Sequence, residues 1–282
     1  MNVKHRVAII GFGSIGKTVI KELLGDDAAP TFDLAVLQRQ GSRSQVMLPD
    51  SVKRFVDLDG VLDWKPDLVV EVAGQAAVAQ YAPACLIAGV PFVISSTGAL
   101  ASEEVRRRVE SAARSGASKA IVISGAIGAL DYLGAAAGLP AAQVLYESRK
   151  PIAAWVAELR ELGLEPDAMN EPYVLFDGDA ETAAQRYPKN LNVAATLALA
   201  GIGMRDTTVR VVADPGVDAN THVIRVEGPA GTFHGRIVNA PSPDNPKTSA
   251  IVAFSVVNVI HRHFAPLQFA YLPLRACALR RS

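Results

Sequence analysis

The chain has 282 residues, half of them hydrophobic, and its 28 Lys and Arg are balanced by 28 Asp and Glu. That length holds two domains or one large one with a proper core, and the zero net charge offers no field to nucleic acid or an acidic membrane surface, which leaves a small molecule as the default partner. Cys85 and Cys277 have neither metal-ligand spacing nor the look of a disulfide framework, so the expectation is no metal and a reducing, cytoplasmic setting. No apolar run reaches the roughly 18 residues of a membrane span, and the short run behind Lys4, His5 and Arg6 ends in glycines instead of a cleavage site.

In chain order, Val7 to Ile10 reads as a buried strand and Lys17 to Leu24 as a helix, with Gly11, Phe12, Gly13, Ser14, Ile15 and Gly16 between them. Gly-x-Gly-x-x-Gly in that context is the dinucleotide fingerprint: Gly11 permits the turn, Gly13 keeps no side chain against a pyrophosphate, and Gly16 lets helix approach strand. A glycine turn in an unrelated α/β protein is the plainer reading, but a second strand, Phe32 to Leu37, follows at the right distance. After it stand Gln38 and Arg39, then Arg43. A carboxylate here would hold the 2′-hydroxyl of NAD, whereas arginine accommodates the 2′-phosphate of NADP. Either NADP is accepted at least as well as NAD, or this is a solvated basic loop; the residues fit both.

The alternation continues with strands at Asp67 to Val72, Val90 to Ser95 and Ala120 to Ser124, and with helices from about Ala76 and from Ser102, which has a capping hydroxyl followed by Glu103 and Glu104. Beyond Gln143 the strands lengthen and mix polarity: Val144 to Ser148, Tyr173 to Phe176, Thr208 to Val212, Thr221 to Glu227 and Thr232 to Asn239. The expected fold is therefore a doubly wound parallel sheet plus a second α/β domain with a mixed or antiparallel sheet. A helix is expected from Thr248 and Ser249 to His261, returning to the first domain. The implied domains are 1–123 with 245–282, and 124–244.

Of five histidines, His5, His261 and His263 read as surface or helix-end residues, and His234 lies on a polar strand face. His222 alternates with Ile224 and Val226 and points inward. A satisfied core residue is the common explanation of such a histidine; an acid, base or hydrogen-bond donor in a pocket is the other.

Taken together, Gly11 to Gly16, Ser124 to Asp131, Pro188 to Ala195, Asn220-Thr221-His222 and Asn245 to Ser249 resemble the L-aspartate dehydrogenase family over nearly the whole chain. The resemblance implies a Rossmann domain completed by the late helix, a central domain closing over the nicotinamide, a homodimer, and NAD or NADP as cofactor. It also implies oxidation of L-aspartate to iminoaspartate, which hydrolyses to oxaloacetate and ammonia or feeds NAD biosynthesis. His222 falls on the family's catalytic histidine, and Ala126 and Asn192 on its nucleotide contacts. For the substrate carboxylates, Lys189 with Asn190, and Lys247 with Thr248, are candidates because both motifs look like helix starts. A homoserine-dehydrogenase-like or dihydrodipicolinate-reductase-like enzyme, and a silent NAD(P)-binding sensor, are the alternatives.

Overall fold

The computed structural model describes residues 4–25, 31–38, 47–187, 192–243 and 245–267, without the side chains of Pro246 and Lys247. Arg39, Arg43, Lys189, Asn190 and Cys277 lie outside the described residues. The chain divides into two compact units, one of Met1–Gly125 with Val252–Gln268, the other built on Ala126–Ile251.

Six parallel strands form the first unit's sheet: β1 (His5–Ile10), β2 (Phe32–Leu37), β3 (Lys53–Phe55), β4 (Leu68–Glu71), β5 (Phe92–Ile94) and β6 (Ala120–Val122), in the order β3-β2-β1-β4-β5-β6. Val7, Ala8 and Ile9 of β1 and Leu68 to Val70 of β4 have no exposed surface, as strands covered on both faces require. Strand order reverses at β1, so right-handed crossovers place the helices that follow β1 and β4 on opposite faces. Those two are α1 (Ser14–Leu24) and α3 (Gln75–Ile87); α2 (Leu58–Asp63) follows β3 and α4 (Glu103–Ser115) follows β5, and Ser102 caps α4 by accepting from the Val105 amide.

The unit is closed by the last described helix, Ile251–Phe264. Its Ala253, Val256 and Ile260, spaced three and four apart, enter the core that holds Val7, Ile9, Val19 and Phe32. Ser255 on the same helix accepts from the Gly125 amide at 3.0 Å and meets the Ser124 hydroxyl at 3.1 Å, fastening the chain that leaves β6. His5 stacks on Phe264 with ring centroids 4.0 Å apart, and His261 meets the edge of Phe32, so these two histidines take part in aromatic contacts of the fold.

In the second unit, β7 (Gln143–Lys150), β8 (Tyr173–Asp179), β9 (Thr207–Ala213), β10 (Asn220–Gly228) and β11 (Gly231–Asn239) make a sheet in the order β11-β10-β7-β9-β8. Only β7 and β9 run parallel, so the sheet is mixed. The unit's helices are α5 (Leu130–Ala136), α6 (Val156–Glu161), α7 (Ala180–Arg186) and α8 (Asn192–Ala200). Ala194, Leu197 and Ala198 of α8 and Leu133 of α5 are fully buried, as are Tyr146 and Val209 of the sheet.

One expected element is corrected. Residues around Thr248 do not open a helix: Asn245–Ser249 is a strand, β13, paired antiparallel with β12 (Pro241–Ser242). The Asn245 side-chain amide donates to the Thr248 hydroxyl on the same strand, and the helix begins only at Ile251. Lys247 and Thr248 therefore lie on a strand that precedes the helix and not in its first turn.

Candidate active site

The glycine turn of the first unit is built as a cradle. Gly11 has φ +104°, and a Cβ there would lie 2.8 Å from that of Ala73; a Cβ on Gly16 would lie 2.4 Å from the Gly11 carbonyl oxygen. Both positions are closed by sterics. A Cβ on Gly13 would meet nothing within 4 Å, so the side of the turn that Gly13 faces is open. No side chain caps α1, as at a phosphate-binding helix start. These residues fit a dinucleotide pyrophosphate. Phe12 is buried.

Two features beside the cradle escape sequence reading. Glu71, with no exposed surface, ends β4 and accepts four hydrogen bonds: from the Ala73 and Gly74 amides at 2.7 Å each, from the Ser96 hydroxyl at 2.8 Å and from the Ser96 amide at 3.0 Å. One carboxylate thus fixes both loops that leave β4 and β5, where ligands of such sheets bind. A charge ending the apolar run of β4 was the available signal. At the end of β2, buried Gln38 accepts from Arg54 of β3, which brings a guanidinium to the place where an NAD-selective carboxylate would stand.

In the second unit His222 is 5 % exposed. Its Nδ1 lies 2.8 Å from the Tyr146 hydroxyl, while Nε2 is buried and has no hydrogen-bond partner. Burial, helped by the charge of Lys150, pushes the imidazole down to about 4, so it is neutral at pH 7. Burial likewise pushes the Tyr146 phenol well above its ordinary range, against a hydrogen bond from Ser148. Register explains the grouping: Ser148 pairs with His222 across β7 and β10, and Tyr146, Ser148 and Lys150 alternate onto the same sheet face. Lys150 Nζ sits 5.4 Å from the Trp155 ring centroid. Ending the strand at Ser148 in the sequence hides Lys150 from this set.

The other expected residues fall as follows. The Ala126 carbonyl accepts from the Asn239 side chain at 2.9 Å; Asn239 pairs with Asn220, whose amide reaches the Ser249 hydroxyl at 3.4 Å. These contacts gather Ala126 and the 245–249 ribbon at the end of β10 that carries His222. Asn192 opens α8, and its carbonyl accepts from Thr196. A cavity of about 510 Å³ opens elsewhere, lined by Leu145, Arg225 and Glu227, which alternate away from His222. The described residues contain no group that could hold a metal ion and no helix long and apolar enough to cross a membrane. Cys85 is buried and its thiol is pushed up to about 12, so it is inert.

A parallel sheet in this order with a glycine cradle after its first strand, in a chain that also carries a separate mixed sheet with a buried histidine, defines a two-unit oxidoreductase that uses a nicotinamide dinucleotide. Comparison with known proteins narrows the class. Residues 11–122 match the model of the homoserine dehydrogenase NAD-binding domain, and residues 131–263 that of the aspartate dehydrogenase C-terminal family. L-aspartate dehydrogenase 2 of Bordetella pertussis is 51 % identical over 93 % of this chain and 97 % of its own, and the L-aspartate dehydrogenase of Pseudomonas aeruginosa 38 % identical over 91 % and 97 %. The crystal structure of Thermotoga maritima aspartate dehydrogenase aligns with TM-score 0.75 and 28 % identity, over 95 % of this chain and all of that one. The chain belongs to the L-aspartate dehydrogenase family.

Proposed function

We propose that this chain oxidises L-aspartate to iminoaspartate with NAD or NADP, the imine hydrolysing to oxaloacetate and ammonia, and that His222 is its catalytic residue. The observation that carries the reading is a buried, neutral histidine with an unpartnered Nε2, in a chain that matches an L-aspartate dehydrogenase over 93 % of its length. Bound nicotinamide supplies the hydride acceptor. Gly11 to Gly16 hold the pyrophosphate, with Ala126 and Asn192 as further nucleotide contacts, while Arg39 and Arg54 favour a 2′-phosphate. Lys150, on the histidine's own sheet face, is the cation we assign to a substrate carboxylate, beside Lys189, Asn190, Lys247 and Thr248 from the family motifs. The first unit is the dinucleotide domain, and the second binds substrate and forms a homodimer. The enzyme works in the cytoplasm, and its product can enter NAD biosynthesis.

The deciding experiment follows reduced-cofactor absorbance when purified protein is mixed with L-aspartate and NAD or NADP, with homoserine and D-aspartate as controls. Reduction with L-aspartate alone is expected, and none with any of them would end the proposal. Arg39→Ala should lower the NADP-to-NAD efficiency ratio; an unchanged ratio removes Arg39 from cofactor choice. In the same assay His222→Ala should lose about two to four orders of magnitude in kcat with cofactor binding intact, whereas Lys150→Met should act mainly by raising KM for aspartate. Full turnover in the first variant, or an unmoved KM in the second, removes that residue from its role.

A further inference from the structure

We propose that Tyr146 is a positioning residue that fixes the tautomer of His222: its hydroxyl donates to Nδ1, the ring proton sits on Nε2, and the imidazole meets the substrate as a neutral hydrogen-bond donor. The inference rests on aspartate oxidation at His222 and specifies how that residue acts.

The geometry admits two directions for the 2.8 Å contact, and the chemistry of the partners chooses between them. A phenol is a far more acidic donor than a neutral imidazole N–H, and an imidazole lone pair a far stronger acceptor than a phenol oxygen. Donation from Tyr146 to Nδ1 therefore matches the better donor with the better acceptor. Tyr146 has no exposed surface, so water cannot take the phenol proton instead. Ser148, only 2 % exposed, faces His222 across the strand pair, so the ring and the phenol meet in a buried setting. With Nδ1 serving as acceptor, the neutral ring must carry its proton on Nε2.

That N–H is one of three buried side-chain groups for which the described residues supply no partner. A buried donor without an acceptor is costly, and a ligand oxygen would relieve that cost. The substrate has such an oxygen beside the reacting carbon: a carboxylate oxygen of aspartate, or the 2-oxo group when the reaction runs toward amination. A neutral imidazole is a known way to polarise a carbonyl without a formal charge. Because Nε2 already carries a proton, the one lost by the substrate ammonium goes to solvent before hydride leaves. His222 is then a donor in the site, and its work as a base, one of the two uses its sequence position allows, is set aside.

The test reads the tautomer directly. Two-bond ¹H–¹⁵N correlation of the free wild-type protein at pH 7 should show His222 protonated on Nε2 alone, and Tyr146→Phe, which keeps the ring and removes the hydroxyl, should show both tautomers. In that variant kcat with L-aspartate should fall about 10- to 100-fold, with KM for the dinucleotide unmoved. A wild-type spectrum with the proton on Nδ1, or a Phe variant with unchanged tautomer and turnover, overturns the proposal. Should the Phe variant fail to fold, the wild-type spectrum still decides. Since that spectrum needs no substrate, a wild-type enzyme that leaves L-aspartate untouched sinks the functional reading separately.

Discussion

Gly11 and Gly13 stand two residues apart, yet substituting each should fail in a different way. At Gly11 the backbone is left-handed and a Cβ would press on Ala73, so Gly11→Ala should cost about 1–3 kcal/mol of stability, read from urea unfolding. At Gly13 an added methyl meets only open space, so Gly13→Ala should keep its unfolding midpoint while KM for the dinucleotide rises at least about tenfold. A Gly13 variant with normal cofactor affinity would show that the open side of the turn is not where the pyrophosphate sits. The spacing alone announces such positions, and strand alternation alone announces that His222 faces inward. Tyr146, Lys150 and Glu71 are not legible in that way, because their meaning comes from cross-strand neighbours that no linear pattern pairs.

Elements were readable wherever a long apolar or alternating run set the period. The strands β1, β2, β4 and β5 of the first unit and all five of the second lie where their runs place them. Three short elements were not: β3 has three residues, and α2 and α6 six each, and none of them forms the core of a longer apolar run as the equally short β5 and β6 do. The 245–249 segment misled because its polar residues and proline resemble a helix cap, when Asn245 and Thr248 in fact bond to each other within a ribbon. At this scale Glu71 ties two loops to the ends of β4 and β5. Glu71→Gln replaces acceptors by an NH₂ group facing amide donors, and should cost about 1–3 kcal/mol. The loosened loops should also weaken dinucleotide binding, measured by titration calorimetry. A variant with wild-type stability and affinity would mean that the loops hold themselves.

Over the whole molecule, the first unit is assembled from the two distant stretches Met1–Gly125 and Val252–Gln268. Ending the chain at Ala250 would strip Ala253, Val256 and Ile260 from its core. With about 1.5–3 kcal/mol for each of the two larger side chains, the loss should reach a sizeable part of a typical domain's stability. Limited proteolysis should then cut within residues 4–125 first; equal resistance in the truncated and intact chains would show that the closing helix is dispensable.

For the nascent chain this has a cost in time. The strands of the first unit leave the ribosome early, but Val256 and Ile260 follow only after all of Ala126–Ile251 has been made, roughly 6 to 25 s later at ordinary elongation rates. Through that interval the apolar surface around Ile9 and Phe32 stands without its cover, which makes the growing polypeptide a natural client for a chaperone that shields hydrophobic surface during translation.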